Sequence, residues 1–213
     1  MTWLQKKIGE LSPSGRWIEY SDQEEQKKIW RRFFLKSFTK RQGGAVLDFG
    51  CGATWAEYVF KELYNDQKFV SLDIDDDEVK KVFGFYANYL GNDVHYYDGK
   101  ILPFPNGEFS SIVFKASLMK VPENNLALIT RQLIRVSTVG AEWYIAPRSM
   151  YFRYLDYLKF KPELRAELKK NKIKLIPWTW NIFELNNRSK KFVTEFYLGY
   201  FLTNLKRRFK NKI

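Results

Sequence analysis

The sequence predicts an α/β domain in which a largely parallel sheet is covered by helices on both faces. Short apolar runs alternate with segments of helical periodicity from Gly44 onward, and a glycine-rich turn follows the first run. Strands that alternate with helices imply right-handed crossovers, which place the helices over the sheet. With 213 residues, 45% of them hydrophobic, the chain is long enough for one main core.

Five apolar runs are the predicted strands, and they read AVLDF, FVSLDI, VHYY, SIVFKA and EWYIA. The segments between them place apolar residues three and four positions apart, as one buried helix face requires. The first such helix carries Trp55, Tyr58, Val59 and Leu63, the second Val79, Val82, Phe83 and Tyr86, and a later one Leu126, Ile129 and Leu133.

The segments on either side of this core are also predicted to be structured. Ser21 and Glu24 have the spacing of a capping box, and the apolar positions that follow predict a helix over about residues 22–38. After Pro147, one charged helix, MYFRYLDYLKFKPELRAELKK, precedes two aromatic-rich runs that are split at NNRSKK and predicted to pair antiparallel. The prediction is a single domain, 1–213, with an N-terminal helical extension (1–42), a ligand-binding core (43–148) and a final helix, strand pair and basic tail (149–213).

The net charge of +12 belongs to the flanks of this basic protein and not to the core. Residues 43–148 hold 10 Lys and Arg against 14 Asp and Glu, whereas residues 1–42 have a net charge of +5 and residues 149–213 of +11. Such a surface attracts RNA phosphates, an anionic membrane surface or an acidic substrate without distinguishing among them. The aromatic-rich C-terminal segment is compatible with a plain strand pair, a nucleic-acid platform or an interfacial membrane segment.

Two classes of protein are disfavoured by composition. The first residues are interrupted by charge too early for a signal peptide, and no stretch reaches the length of a membrane span, so we expect a cytoplasmic protein, with peripheral membrane attachment left open. A single cysteine and a single histidine cannot form an internal disulfide or a zinc site, and we expect no metal.

The turn after the first strand, in VLDFGCGATW, indicates a ligand that carries positive charge. Gly50 and Gly52 let the backbone approach a ligand at the place where open parallel sheets bind one. Asp48 would repel a pyrophosphate there, Trp55 fills the position of the third glycine of a dinucleotide-binding turn, and no P-loop lysine follows. S-adenosylmethionine brings an ammonium group that a carboxylate can hold, and it fits these constraints.

Two further acids support this choice of ligand. Asp73 ends the second strand, 21 residues past Gly52, where a carboxylate can accept hydrogen bonds from both ribose hydroxyls. Asp98 ends the third strand, close enough in this topology to accept a hydrogen bond from the adenine amino group. Three acids at three successive strand ends therefore match an adenosine with a cationic tail.

Residues 44 to about 148 resemble a class I S-adenosylmethionine-dependent methyltransferase of the small-molecule type. LDFGCGAT resembles the glycine motif, VSLDIDDDEV the ribose-acid motif, YYDGKILPFPNGEFSSIVFKASLMKVP the third-to-fourth strand region, and LIRVSTVGAEWYIAPR the approach to the fifth strand. The resemblance implies a Rossmann-like, mostly parallel seven-stranded sheet, with S-adenosylhomocysteine as product. The cofactor contacts that it implies are Asp48, Gly50, Cys51, Gly52, Asp73, Ile74, Asp98, Gly99 and Phe114.

The chain departs from the family pattern at several positions. Thr54 replaces the third glycine of the turn, Ser110 replaces an aspartate, and Val139 replaces a proline. Met119 and Lys120 stand where family members often have Glu and His. The cofactor motifs are thus better preserved than the acceptor side.

Lys115, Ser117 and Lys120 are the predicted catalytic candidates because they follow the fourth strand, next to the expected methyl position. A lysine there pairs with an anionic acceptor or acts as a base, and the alternative is two solvated surface lysines. His95 is expected to be structural and Cys51 a buried filler. Aromatic candidates for a lid or an acceptor pocket are Trp17, Tyr20 and Tyr151.

Three functional hypotheses follow from the sequence. The first is methyl transfer to a small or carrier-linked acceptor, anionic or linked to a glycan or lipid. The second is an RNA methyltransferase that uses the basic flanks, although FKAS stands where base methylators carry an Asn/Asp-Pro-Pro-aromatic motif. The third is a non-catalytic cofactor-binding protein with the methyltransferase fold.

Overall fold

The computed structural model describes residues 23–36, 38, 44–52, 55–77, 79–81, 84–85 and 94–178. All of them belong to one compact unit, Met1–Thr179. The helices are α1 (Gln23–Lys36), α2 (Ala56–Leu63), α3 (Glu123–Val136), α4 (Arg148–Lys159) and α5 (Pro162–Lys170), with a 3₁₀ turn at Leu118–Lys120. The strands are β1 (Ala45–Phe49), β2 (Phe69–Ile74), β3 (Val94–Tyr97), β4 (Phe109–Lys115), β5 (Ser137–Ala146) and β6 (Lys174–Pro177).

The strands form one sheet in the order β3-β2-β1-β4-β5-β6, and every neighbouring pair is parallel. The predicted parallel α/β architecture is therefore confirmed. The sheet of the described residues has six strands and not the predicted seven, and the strand beside β5 is the parallel β6. The predicted antiparallel pair around NNRSKK lies outside the described residues, and the single-domain assignment stays a prediction.

One face of the sheet packs on α3, α4 and α5. Side chains that alternate along the strands point to this face, because successive residues of a strand point to opposite sides. Phe114 and Trp143 are both fully buried here, with ring centroids 5.5 Å apart. The helices contribute further residues of the same cluster, including Leu126, Ile129, Leu133, Tyr154, Leu158, Leu164 and Leu168.

The other face packs on α1 and α2 through aromatic rings. Phe33 lies 3.9 Å from Trp178 and 5.4 Å from Tyr144 between ring centroids, which ties α1 to the β5 and β6 side of the sheet. Phe34 lies 5.1 Å from Phe60 of α2. The predicted apolar face of the N-terminal helix is therefore the face that covers the sheet, with Trp30 and Phe34 fully buried.

The charged segment after β5 forms two helices where the sequence predicted one. α4 ends at Lys159 and α5 begins at Pro162. Proline lacks the N–H that a continuing helix needs, but it fits the first turn of a new one. Residues 77, 79–81 and 84–85 are helical, in line with the helix predicted near Val79. Among the described helices, none is long and apolar enough to span a bilayer.

Replacing Phe33 by alanine tests the packing of α1. Phe33 is 2% exposed, and its truncation is expected to lower the free energy of unfolding by about 3–5 kcal/mol through a cavity under the helix. Leu35→Ala on the same helix is the matched control, because Leu35 is 62% exposed and its loss is expected to cost less than about 0.5 kcal/mol. Denaturant unfolding measures both, and equal losses would contradict this packing.

Candidate functional site

The glycine turn lies where the order of the sheet reverses. β1 pairs with β2 on one side and with β4 on the other, which makes its carboxyl end the topological switch point where open α/β sheets bind ligands. Gly50 and Gly52 have φ angles of +66° and +60°, a region that favours glycine. The amides of Gly50 and Cys51 both donate to the carbonyl of Leu72, at 2.8 and 3.1 Å, and this holds the turn against β2.

Ser117 closes the turn from the β4 side. A Cβ atom on Gly50 would overlap the Ser117 side chain, so only glycine fits at this position. The Ser117 hydroxyl is buried and donates to the carbonyl of Phe49, which joins the end of β1 to the segment after β4. The structure thus places this predicted catalytic candidate directly behind the glycine turn.

Asp73 bridges the end of β2 and the glycine turn. Its Oδ2 accepts a hydrogen bond from the Gly52 amide at 2.9 Å, and its Oδ1 accepts one from the Ile74 amide at 2.8 Å. The carboxyl is 6% exposed, and this burial raises its pKa above the ordinary value. The two amides and the positive charge of Lys120 oppose that rise because they favour the ionised form.

Asp48 and Cys51 lie beneath the turn. Asp48 is fully buried in β1, and its charge reaches the Cys51 thiol. Burial raises the pKa of that thiol well above its ordinary value, and the carboxylates of Asp73, Asp48 and Glu57 raise it further. Cys51 therefore stays a neutral thiol, whose Sγ lies 3.9 Å from Asp73 Oδ2, as expected of a filler and not of a nucleophile.

Asp98, Gly99 and Ile74 lie on the outer side of the site. Asp98 is exposed, and its Oδ1 accepts hydrogen bonds from the amides of Ile101 and Lys100, which lower the pKa of its carboxyl. Gly99 has a φ angle of +80°, and a Cβ atom placed there would lie 3.8 Å from the Ile74 side chain. Ile74, 41% exposed, can offer an apolar surface to a flat ring beside the Asp98 loop.

The two predicted lysines occupy different surroundings. Lys115 ends β4 on the α1 face of the sheet, with its Nζ 5.6 Å from the ring centroid of Trp30. Lys120 is exposed in the 3₁₀ turn, and its charge acts on Asp73 across the site. Lys120 therefore belongs to the cofactor side, whereas Lys115 lies beside the N-terminal helix.

Several other predicted residues lie away from the turn or outside the described part of the chain. The Phe114 side chain is fully buried in the core between Phe49 and Trp143, at 5.7 and 5.5 Å between ring centroids. His95 is exposed on β3 beside Phe104, and Tyr151 is partly buried on α4. Three predicted positions lie outside the described residues, namely Trp17, Tyr20 and Thr54.

Two departures from the family pattern have local consequences. Ser110 is buried, and its side chain fills the space that a Cβ atom of Gly44 would need, so a small residue suits this contact. Val139 is 69% exposed, just before Gly140 with its φ of +79°. Both lie toward the amino-terminal ends of their strands, at the edge opposite the glycine turn.

Sequence reasoning missed three residues around the site. Ala116 has a φ of +57°, and its amide donates to the carbonyl of Ala146, which turns the chain between Lys115 and Ser117. Glu57 is buried and accepts a hydrogen bond from Ser71 at 2.8 Å. Lys27 places its Nζ 4.4 Å from the Trp55 ring centroid. The predicted helix over about residues 22–38 includes Lys27, and this was the only sequence signal for that residue. Nothing in the sequence indicated the positive φ of Ala116.

The residues present fit S-adenosylmethionine. The close approach at Gly50 gives a backbone cradle, Asp73 lies 21 residues beyond Gly52 at the neighbouring strand end, and Ile74 borders the Asp98 loop. This donor set holds cations and hydroxyl groups, and the carboxylates of Asp48 and Asp73 disfavour a pyrophosphate at the turn. In the part of the chain that the structure describes, no cluster of His, Cys, Asp and Glu could hold a metal ion.

A parallel sheet with this turn at its switch point and an acid at the next strand end is typical of the class I S-adenosylmethionine-dependent methyltransferases. The family model of the ubiE/COQ5 methyltransferase family matches residues 23–154, and the chain belongs to that family. The resemblance inferred from the motifs and the assignment of S-adenosylmethionine as cofactor are thereby confirmed.

Known proteins similar to this chain include one curated relative and several solved structures. The demethylmenaquinone methyltransferase of Staphylococcus carnosus (strain TM300) is 28% identical over 117 residues, 54% of this chain and 48% of the relative, so the chain spans about half of that protein's length. A methyltransferase from Aquifex aeolicus is 21% identical, with a TM-score of 0.44 over 63% of this chain and 68% of that one. A geranyl diphosphate methyltransferase is 12% identical, with a TM-score of 0.43 over 80% and 76% of the two chains.

Gly50→Ala is expected to destabilise the fold and abolish cofactor binding, since the methyl group overlaps Ser117 and the backbone is left-handed. Gly107→Ala is the matched control: its φ is also +66°, but a Cβ atom there meets nothing within 4 Å, so it measures strain alone, about 1–2 kcal/mol. Adding Ser117→Gly to Gly50→Ala is expected to restore part of the stability. Denaturant unfolding and calorimetry measure these changes, and equal losses in the two alanine variants would contradict the contact.

The affinity for S-adenosylmethionine is expected to fall as the pH falls through the raised pKa of Asp73. Protonation removes the negative charge with which Asp73 is predicted to accept hydrogen bonds from the two ribose hydroxyls, and the raised pKa moves this loss above the ordinary aspartate range. Lys120→Gln removes a charge that lowers this pKa, so the loss is expected to begin at higher pH. Calorimetric titration over pH measures both profiles, with Asp73→Asn as the control, and a profile that Lys120→Gln does not move would contradict the coupling.

Proposed function

We propose that this protein transfers a methyl group from S-adenosylmethionine to a small-molecule acceptor that reacts as an anion. The glycine turn at the switch point, closed by Ser117 and linked to Asp73, is the observation that carries the cofactor half of this proposal. The acceptor half is supported by the distribution of charge along the carboxyl edge of the sheet.

The carboxyl edge divides into an acidic half and a basic half. Acidic side chains lie at or after the ends of the strands on one side, namely Asp48, Asp73, Asp75 and Asp98 on β1, β2 and β3. Cationic side chains lie at or after the ends of the strands on the other side, namely Lys115 at the end of β4 and Arg148 after β5. A cationic cofactor is complementary to the first half, and an anionic acceptor is complementary to the second.

The register of the sheet places the two basic positions at neighbouring strand ends. Lys115 pairs with Ala146 in the β4–β5 ladder, and Arg148 follows two residues later at the start of α4. Arg148 is exposed, with its guanidinium 5.4 Å from the Phe152 ring centroid. Two cations at adjacent strand ends can hold a carboxylate or an ionised hydroxyl group of the acceptor.

Bound S-adenosylmethionine would supply an electrophilic methyl group on a sulfonium. An aligned nucleophile would bond to the methyl carbon as the carbon–sulfur bond breaks, and S-adenosylhomocysteine would leave as a neutral thioether without a covalent enzyme intermediate. The chain's contribution is to hold the acceptor in line and to exclude water. An acceptor that ionises is a stronger nucleophile, and Lys115 and Arg148 would stabilise its negative charge. A reduced quinone ring, whose hydroxyls ionise to phenolates, is one such acceptor, and the name of the Staphylococcus carnosus relative supports this choice.

Methyl transfer from labelled S-adenosylmethionine is expected to reach a demethylated naphthohydroquinone and not total RNA. Lys115→Gln and Arg148→Gln are each expected to raise the KM for that acceptor by about tenfold, because each removes one charged hydrogen bond of about 1.5 kcal/mol or more. The Kd for S-adenosylmethionine is expected to stay within about twofold, since both residues lie in the half of the edge assigned to the acceptor. The measurement is initial-rate kinetics together with calorimetry of cofactor binding.

Arg165→Gln is the matched control, because this exposed arginine lies on α5 and its loss is expected to leave KM unchanged. Labelled RNA with no labelled quinol would favour the RNA hypothesis. A third outcome is that the wild type binds S-adenosylmethionine tightly, Asp73→Asn does not, and no acceptor becomes labelled. That outcome would favour a non-catalytic cofactor-binding protein. An acceptor KM that neither basic variant raises would contradict the anionic-acceptor assignment while leaving the cofactor assignment intact.

A further inference from the structure

The turn between α4 and α5 exposes a large aromatic side chain. Phe160 is 81% exposed, more than any other large apolar residue in the described part of the chain. It lies between Lys159 and Lys161, and Phe152, 48% exposed, lies earlier on the same helix. Exposing a phenylalanine ring forgoes its hydrophobic stabilisation, so its position outside the core calls for a physical reason.

Phe160 lies in a turn that backbone hydrogen bonds hold in place. Its amide donates to the carbonyl of Tyr157 at 3.1 Å, and the Lys161 amide donates to the carbonyl of Leu158 at 3.2 Å. Leu158 before the turn and Leu164 after it are buried in the core, at 4% and 0% exposed. The ring is therefore presented by a turn that is anchored on both sides, and little conformational entropy is lost when the ring is buried elsewhere.

Positive charge predominates in the segment that carries this ring. Residues 148–172 hold eight Lys and Arg against three Asp and Glu. Asp156 pairs with Lys159 at 2.7 Å, and Glu167 pairs with Arg131 at 3.2 Å, so part of the negative charge is already compensated. The cations that lie exposed on α4 and α5 and in the turn that follows are Arg153, Lys159, Arg165, Lys169, Lys170 and Lys172.

We propose that the α4–α5 turn docks the protein on an anionic lipid bilayer, with Phe160 inserted at the headgroup level and the surrounding lysines on the lipid phosphates. An exposed phenylalanine ring between Lys159 and Lys161 matches an anionic bilayer surface, which offers hydrocarbon below a layer of negative charge. Single-stranded nucleic acids are typically bound in grooves where several aromatic rings stack on successive bases, and the exposed Phe160 at a turn forms no such groove with the described residues. This proposal does not depend on the acceptor assignment.

Co-sedimentation with vesicles tests the proposal. The full chain is mixed with vesicles of phosphatidylcholine alone and with vesicles of equal parts phosphatidylcholine and phosphatidylglycerol. We expect binding to the anionic vesicles only. Phe160→Ser and Lys161→Gln are each expected to lower the partition coefficient on those vesicles by about fivefold, which corresponds to about 1 kcal/mol for one interfacial group.

Val139→Ser is the matched control, because Val139 is also an exposed apolar residue, at 69%, but lies on β5 in the acidic core segment. It is expected to bind anionic vesicles as the wild type does. Because Phe160 lies outside the core, its variant is expected to unfold at the same denaturant concentration as the wild type, which separates docking from folding.

Two results would overturn the proposal. Equal vesicle binding by Phe160→Ser and the wild type would mean that basic residues elsewhere in the chain carry the attraction. Binding to homopolymer RNA that Phe160→Ser weakens, together with no binding to anionic vesicles, would assign the turn to nucleic acid instead.

Discussion

The site depends on one close contact, the approach of Gly50 to Ser117 across the switch point of the sheet. No side chain fits between the turn after β1 and the segment after β4, and the Ser117 hydroxyl fixes their separation by donating to the Phe49 carbonyl. Because the Gly50 and Cys51 amides bond to Leu72 on the other side, the turn is held by both neighbouring strands. The position of the glycine turn is thus set by sheet pairing and by one serine.

Burial at this contact also determines the electrostatics of the site. Asp73 is removed from water, which disfavours its charge, and the Gly52 and Ile74 amides offset part of that cost. The Cys51 thiol in the same pocket is kept neutral by burial and by the carboxylates around it. A group of buried acids is tolerable when a cation lies between them, so the buried carboxylates of Asp48 and Asp73 favour a sulfonium and an ammonium there.

Sequence periodicity predicted the elements and the turn because both are encoded locally. The glycines, the acids at strand ends and the apolar spacing of α1 each follow from the needs of one element. Periodicity predicts that neighbouring strand residues point to opposite faces of the sheet, but not which face each residue takes. Phe114 lies in the core beside Trp143, whereas Lys115 lies beside Trp30. The break between α4 and α5 could have been predicted from Pro162 alone. The left-handed backbone of Ala116 could not, because its residue type does not favour a positive φ.

The N-terminal helix α1 packs directly on the sheet and on α2. Its rings pack on Tyr144, Trp178 and Phe60, and the family match begins at residue 23, where the helix starts. The same helix carries Lys27 over the Trp55 ring, directly after the glycine turn. It also brings Trp30 to Lys115 at the end of β4. One helix therefore borders both the cofactor turn and the basic half of the carboxyl edge, and a change in its packing would reach both at once.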